Sequence, residues 1–254
     1  MNVLLLGANG FLGPHVVKAL APHHRLRVTD IKPPPPEIQE QLSRHEFLQV
    51  DVTSADQVRR AAGGMDAILN LSVVRADRVG AFRVNMLGCY HVVQAAVEHG
   101  IRRVINTGPH FTVAGPSYED FDHAISPDVP PHPGTGLYPL TKSLGLEVCR
   151  AFAEAHEVYV QTYLFYIFRD TKELQRGAGG VPFIVTWADA AEVFRLGLAI
   201  DLRRLPSRCE VFFIFADGPQ AKFLNQKAKQ VLGFAPKEDV SVLWRKRRGG
   251  KDEG

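Results

Sequence analysis

Cysteine is scarce in this sequence: Cys89, Cys149 and Cys209 are scattered over 254 residues, with no Cys-x-x-Cys pair. That spacing argues against a disulfide framework and a thiolate metal site, and it predicts a reducing, cytoplasmic setting. A strong charge of one sign is also missing. The net charge is only +3, so no general attraction to nucleic acid is implied. Long apolar runs are absent. The most apolar-looking stretch, "WADAAEVFRLGLAI" (187–200), is too short and too charged to cross a bilayer. The opening "MNVLLLGANG" lacks a basic leader segment and its apolar run is four residues, so no signal peptide is predicted. No internal repeat recurs. The end, "WRKRRGGKDEG" (244–254), is basic and then acidic and reads as a solvated tail.

What is present is a hydrophobic fraction of 45%, enough for one large domain or one domain with a small annex. Strand-like and helix-like stretches alternate along the first two-thirds. "NVLLL" (2–6), "RLRVTD" (25–30), "EFLQVD" (46–51), "DAILNLS" (66–72) and "RRVINT" (102–107) read as strands. Helices are predicted over 11–20, over 54–62 with Ser54 as N-cap, and over 79–99. This order predicts an α/β fold, a doubly wound parallel sheet of the Rossmann kind. Ligands of such sheets sit at the carboxyl ends of the strands. A long Pro/Gly-rich connection (108–137) precedes a helix at 138–156 and an apolar strand at 158–168. Beyond it the pattern weakens: "VPFIV" (181–185), a helix at 188–201, "EVFFIFA" (210–216), and a helix at 219–232 closed by Gly233. The expected division is a dinucleotide-binding domain over 1–165 and a small substrate lobe over 166–254, packed on the first.

The turn "GANGFLG" (7–13) joins the first strand to the first helix. Its glycines, Gly7, Gly10 and Gly13, allow a tight turn and close backbone approach to a pyrophosphate. The helix N-terminus behind them offers free N–H groups and the positive end of a dipole. Asn9, Phe11 and Leu12 complete the candidate cofactor turn. Seventeen residues after Gly13, Asp30 ends the second strand. A carboxylate there accepts hydrogen bonds from ribose hydroxyls and repels a 2′-phosphate, which favours NAD over NADP, although Lys32 blunts the argument. Asp51, with Val52, ends the third strand, where an adenine edge would lie. Farther on, "LYPLTK" (137–142) sets Tyr138 and Lys142 four residues apart, on one helix face. An ammonium beside a phenol lowers the phenol's pKa, so such a pair can act as a general acid/base.

Taken in order, "GANGFLG", Asp30, "DV" at 51–52, "NLS" at 70–72, "VNMLGCYHVVQAA" at 84–96, "YPLTK" at 138–142 and "QVLGFAPKED" at 230–239 give the chain its resemblance. It resembles the extended short-chain dehydrogenase/reductase family, the NAD-dependent epimerase/dehydratase group. Within that group, the short C-terminal lobe and "EHGIRRVINT" look most like uronate dehydrogenases and sugar epimerases. The resemblance implies an NAD-dependent oxidoreductase, epimerase or dehydratase acting on a sugar, sugar acid or nucleotide sugar. In that reading Tyr138 is the catalytic acid/base, and Lys142 binds the nicotinamide ribose and depresses the phenol pKa. Asn70, Leu71 and Ser72 line the cofactor, and Asn85 orders a water near the lysine. A homodimer through the helices near 79–99 and 138–156 is implied as well, with no nucleic-acid or membrane partner expected.

The resemblance breaks after the fifth strand. The family places a Ser-Ser or Ser-Thr pair there; this chain reads "RRVINTGPHFTVAG". Anchoring on "RRV" aligns Gly108 and Pro109 with that pair, and anchoring on "TVAG" aligns His110 with the catalytic serine. Thr107, His110 and Thr112 are the candidate replacements. After the sixth strand the family's arginine is replaced near Phe165, leaving Arg169 and Arg176 as candidate partners for a substrate carboxylate or phosphate. His123 and His132 read as solvent-exposed loop residues. The alternative to an enzyme is a dinucleotide-binding sensor or scaffold that kept the fold and lost turnover.

Overall fold

A computed structural model of the chain describes residues 1–115 and 122–246, so all but the first three residues of the tail at 244–254 lie outside the description. Its centre is a seven-stranded sheet, parallel at every pairing. The strands are β1 (Asn2–Leu6), β2 (Arg25–Asp30), β3 (Glu46–Gln49), β4 (Ala67–Asn70), β5 (Arg103–Pro109), β6 (Tyr159–Phe165) and, after a two-stranded annex, β9 (Cys209–Phe213). Their order in space is β3-β2-β1-β4-β5-β6-β9, the doubly wound arrangement expected.

The apolar strands divide their side chains by the period of two. Val3 and Leu5 of β1 point into one core, with Val28, Leu69 and Ile105. Leu4 and Leu6 point into the other, with Ile68, Val104 and Val160. Helices α1 (Gly13–Leu20), the short α2 (Pro36–Gln39), α3 (Ala55–Ala62), α4 (Arg78–Ala81), α5 (Gly88–Glu98), α6 (Leu137–Ala155) and α7 (Trp187–Ala199) connect the strands. α1 and α7 supply residues to the first core; α3, α5 and α6 supply the second. Ser54 caps α3, its Oγ accepting from Gln57 N at 3.4 Å.

Register fixes the site's edge. Leu6 pairs with Thr29 on one side and Asn70 on the other, Asn70 pairs with Asn106, and Asn106 with Thr162. One residue beyond that row stand Gly7, Asp30, Leu71 and Thr107, so the candidate residues share one edge of the sheet. Between α4 and α5 the helix widens into a π-turn, Phe82–Leu87. Gly145 lets α6 close on that turn: a Cβ there would lie 2.4 Å from Asn85 O.

Two expectations are corrected. The strand predicted over 158–168 ends at Phe165; Ile167–Arg169 is a separate strand, β7, paired with β8 (Ile184–Thr186) in the annex. The helix predicted over 219–232 is helical only from 226, and Phe223 forms a bridge to Ile125 instead. Gly233 does close it, in the left-handed region at φ +70°. The sheet itself continues past residue 165. Residues after it supply the seventh strand and α7, because β6 is otherwise an unpaired edge. β7, β8 and the 3₁₀ turn Val240–Trp244 form an annex, around Ile184, Ala216, Val240 and Leu243. Among the described residues no helix is long and apolar enough to cross a membrane.

Candidate active site

A cavity of about 600 Å³ opens at the carboxyl end of the sheet. Its floor is the turn after β1. Gly7 has φ +76°, and a Cβ on it would fall 2.7 Å from Ser72 N. A Cβ on Gly13 would fall 1.8 Å from Ala8 O, so α1 can pack against the turn only through a glycine. Gly10 differs: a Cβ on it would make only an ordinary contact, with Gly7 O at 3.5 Å. No side chain caps α1, and its first turn carries no acid. Asn9 ties the turn to the end of β2. Its N–H donates to Asp30 Oδ2 (2.9 Å) and its Nδ2 to Lys32 O (3.0 Å) and Pro33 O (2.9 Å). Asn9 Oδ1 is buried with no hydrogen-bond partner. Glycines in contact with backbone, an uncapped helix N-terminus and an orphaned acceptor fit the pyrophosphate and ribose of a dinucleotide.

Of the predicted cofactor residues, Gly7, Asn9, Gly10, Phe11, Leu12, Gly13, Leu71 and Lys142 line this cavity. Asp30 does not line it but meets its floor through Asn9 N, and Asp51 and Val52 do not line it either. The Asp51 carboxylate accepts from Thr53 N (2.8 Å) to close its own turn, and Val52 is buried, its carbonyl meeting His91 Nδ1 at 3.0 Å. Asn70 and Ser72 sit one layer behind. Asn70 Nδ2 donates to Asn106 Oδ1 (3.2 Å), its Oδ1 accepts from Ser72 N (3.2 Å), and Ser72 O accepts from Lys142 Nζ (2.9 Å).

Tyr138 and Lys142 rise from the first turns of α6 into the same cavity. Lys142 is 2% exposed, and burial pushes its ammonium below the usual lysine range, opposed by Cys89 and Cys149. The two buried thiols face each other, and their interaction holds Cys89 below the usual range and Cys149 above it. Burial pushes the Tyr138 phenol up, and the opposing cation is Arg75, through charge and hydrogen bonding. Its Cζ stands 5.3 Å from the Tyr138 ring centroid. Lys142 directs one of its three N–H donors to Ser72 O, while the Arg75 guanidinium faces the phenol ring.

The remaining candidates scatter. Thr107 lines the cavity, but its Oγ1 already donates to Asn70 O at 3.1 Å, so it offers substrate only lone pairs. Thr112 is buried behind Gly108, its Oγ1 without a partner. His110 turns away from the cavity into an aromatic box, with ring centroids 4.7 Å from Tyr166, 4.8 Å from Phe183 and 5.0 Å from Phe223. Asn85 is fully buried. Its amide brackets Val74, accepting from Val74 N (3.0 Å) and donating to Val74 O (2.7 Å), with a further bond to Thr141 Oγ1 (2.9 Å). Asn85 thereby clamps the segment after β4. Arg169 lines a separate cleft beside His15 and Trp187, and Arg176 donates to Lys246 O (2.7 Å), so neither enters the cavity. His123 and His132 are exposed, as expected. Residues absent from the prediction, Val73, Arg75, Phe111, Tyr166 and Phe168, complete the lining.

His110 has a consequence for stability. Burial first, and the charge of Lys222 second, pull its pKa down to about 4. An unfolded chain takes this proton near pH 6.5. As pH falls from there toward 4, protons bind the unfolded state more, and the folded state loses stability. His110→Phe is expected to recover about 2 kcal/mol of the loss between about pH 7 and about pH 5. Urea melts of the wild type and the variant at the two pH values measure it; equal losses would refute it.

Residues 4–143 match the 3-beta hydroxysteroid dehydrogenase/isomerase family. A uronate dehydrogenase of Pseudomonas syringae pv. tomato is 31% identical over 164 residues, covering 62% of this chain and 56% of that protein. The match thus spans about half the length of that curated relative. A uronate dehydrogenase from Agrobacterium tumefaciens superposes with a TM-score of 0.76 at 20% identity, over 95% of this chain and 86% of that one. MoeE5, solved in complex with UDP-glucuronic acid and NAD, superposes with a TM-score of 0.76 at 16% identity, over 96% and 97% of the two chains. These structural likenesses establish the shared fold. The family match extends from β1 past Lys142, over more than half of the chain, and the chain therefore belongs to the 3-beta hydroxysteroid dehydrogenase/isomerase family.

Proposed function

We propose that this chain is an NAD-dependent oxidoreductase acting on a hydroxyl-bearing carbon of a sugar, sugar acid or nucleotide sugar, as a net dehydrogenase or within an epimerisation or dehydration. The observation that carries this reading is one cavity shared by the glycine turn, Tyr138 and Lys142. A nicotinamide bound there supplies the hydride acceptor. The chain's own residues do the rest. The turn over Gly7, Gly10 and Gly13 receives the pyrophosphate against the N-terminus of α1. Asp30, fixed through Asn9 N, meets the ribose hydroxyls and opposes a 2′-phosphate. Tyr138 accepts the substrate's hydroxyl proton as its C–H bond breaks, leaving a carbonyl. Lys142, pinned on Ser72 O, places its ammonium at the wall between cofactor and phenol. Phe111 and Tyr166 line the cavity with aromatic surface for a sugar ring to pack on. The names of similar proteins, uronate dehydrogenase and a UDP-glucuronic acid complex, support the sugar-acid class. Association through the helices at 78–98 and α6 is proposed as well, since Val79, Leu87 and Tyr90 are exposed there.

A second reading, dinucleotide binding without turnover, has its own observation: Gly108 and Pro109 stand where a hydroxyl is expected, and the Thr107 proton is committed to Asn70 O. One experiment separates the two. Calorimetric titration is expected to show NAD binding at least about tenfold tighter than NADP. Incubation with NAD and a panel of uronic acids, aldoses and nucleotide sugars is expected to raise the NADH absorbance or change product stereochemistry. Binding without either change would favour the second reading, and no binding would overturn both.

A further inference from the structure

We propose that Arg75 is the third polar group of this site, the residue that supplies the positive charge against which Tyr138 gives up its proton. The inference rests on Tyr138 being the acid/base of the proposed reaction, and it adds a residue that the family pattern of hydroxyl, tyrosine and lysine does not contain.

Three observations place it. First, Arg75 lines the cavity beside Tyr138, with its guanidinium carbon 5.3 Å from the ring centroid. Second, the position is built. Ser72 is tied by its carbonyl to Lys142 Nζ (2.9 Å), and Val74 is held at both N–H and C=O by the Asn85 amide (3.0 and 2.7 Å). The residue that follows this double clamp is Arg75. Asn85 is thereby a positioning residue, acting through Val74. Third, the charge is available. Among the described residues no carboxylate forms an ion pair with Arg75.

The other groups around the phenol do not take this role. From α6, Lys142 directs one of its three N–H donors to Ser72 O, and among the described residues no hydrogen bond or ring contact joins it to Tyr138. From the turn after β5, His110 is held neutral by burial and reaches Tyr138 only through Phe111, whose ring is 6.1 Å from the phenol ring. From the segment after β6, Tyr166 packs on Phe111 at 5.5 Å. A guanidinium keeps its charge at every working pH and offers several N–H donors in a fixed plane. Facing a phenol that burial makes reluctant to ionise, it favours the phenolate in the way a neighbouring opposite charge does.

The test needs neither cofactor nor substrate. The chain has six tyrosines, and the ultraviolet phenolate band of the wild type minus that of Tyr138→Phe isolates the titration of Tyr138. Arg75→Met is expected to raise that midpoint by about one to two pH units, with Arg75→Lys between the two. Arg75 is exposed, so its replacement opens no core, and circular dichroism at each pH confirms the fold. An unchanged midpoint in Arg75→Met overturns the proposal, as does a wild-type phenol that fails to titrate before unfolding. Because the readout is a proton and not turnover, a silent substrate panel would count against the dehydrogenase reading alone. Where a substrate turns over, Arg75→Met is expected to lower kcat at least about tenfold with NAD affinity unchanged.

Discussion

Tyr138→Phe is expected to lower kcat/KM for NAD-linked oxidation about a thousandfold while leaving NAD affinity and melting temperature near their wild-type values. The size follows from the usual contribution of a positioned acid/base, about 10²- to 10⁴-fold. The specificity of the test follows from what the substitution preserves. Phenylalanine keeps the ring that packs edge-on against Phe111 at 6.1 Å and that receives the Arg75 guanidinium at 5.3 Å. Only the hydroxyl is removed, so a loss of turnover cannot be laid to collapse of the cavity wall. The pH dependence gives a second reading of the same residue. Burial raises the phenol and Arg75 only partly opposes it, so Tyr138 is protonated at neutral pH in the free protein. Acting as a base for oxidation, it works better as pH rises, and the wild-type rate is expected to climb on the alkaline side. The reverse reduction, which needs the proton, is expected to fall over the same range. Turnover within about threefold of wild type in Tyr138→Phe, or an alkaline limb that survives it, would remove Tyr138 from the chemistry.

The parts of this site that the sequence made legible are those set by local rules. The glycine turn sits between an apolar strand and a helix whatever the rest of the chain does, and Ser54 caps its helix by its own hydroxyl. Period and position placed β2 at 25–30 and α6 within one residue of 138–156, because both elements bury one face against a large core. Errors arose where distant residues decide. Period alone carried a strand through Tyr166, but β7 exists because β8 lies beside it. The segment 219–225 has helix-like composition, yet Phe223 is drawn into the aromatic core with Phe183 and Phe213. His110 aligns with a catalytic serine in one register, and the same core explains why it points elsewhere: its ring stacks on Phe183 at 4.8 Å, a partner 73 positions away in sequence (183 − 110). Arg75 was missed for a different reason. Strand-end logic stopped at Ser72, whereas the clamp that brings the next residues back over the cavity is an asparagine on the following helix. A residue five positions beyond the end of β4, followed by an Asn in the next helix, is the sequence signal for it.

The glycine turn yields the largest expected structural effect, and a contrast within it separates folding from binding. A Cβ on Gly13 would sit 1.8 Å from Ala8 O and 2.5 Å from Ala8 C. Both are backbone atoms in a turn tied to β2 by Ala8 N donating to Thr29 O at 3.0 Å, so neither can step aside without moving α1 off the sheet. Gly13→Ala is therefore expected to cost about 3 kcal/mol of stability, the upper range for overpacking, and to weaken NAD binding by more than about thirtyfold as the helix N-terminus leaves the cavity. Gly10→Ala should behave otherwise. Its Cβ would meet only Gly7 O, at 3.5 Å, an ordinary contact, and would project into the space assigned to the pyrophosphate. Stability is expected to stay within about 0.5 kcal/mol of wild type, while NAD affinity falls at least about tenfold. Urea melts without ligand and calorimetric NAD titrations measure the two quantities separately. A Gly10→Ala protein that binds NAD as well as wild type would show that the turn after β1 closes the fold without holding a dinucleotide. The cofactor assignment would then have to leave this edge of the sheet.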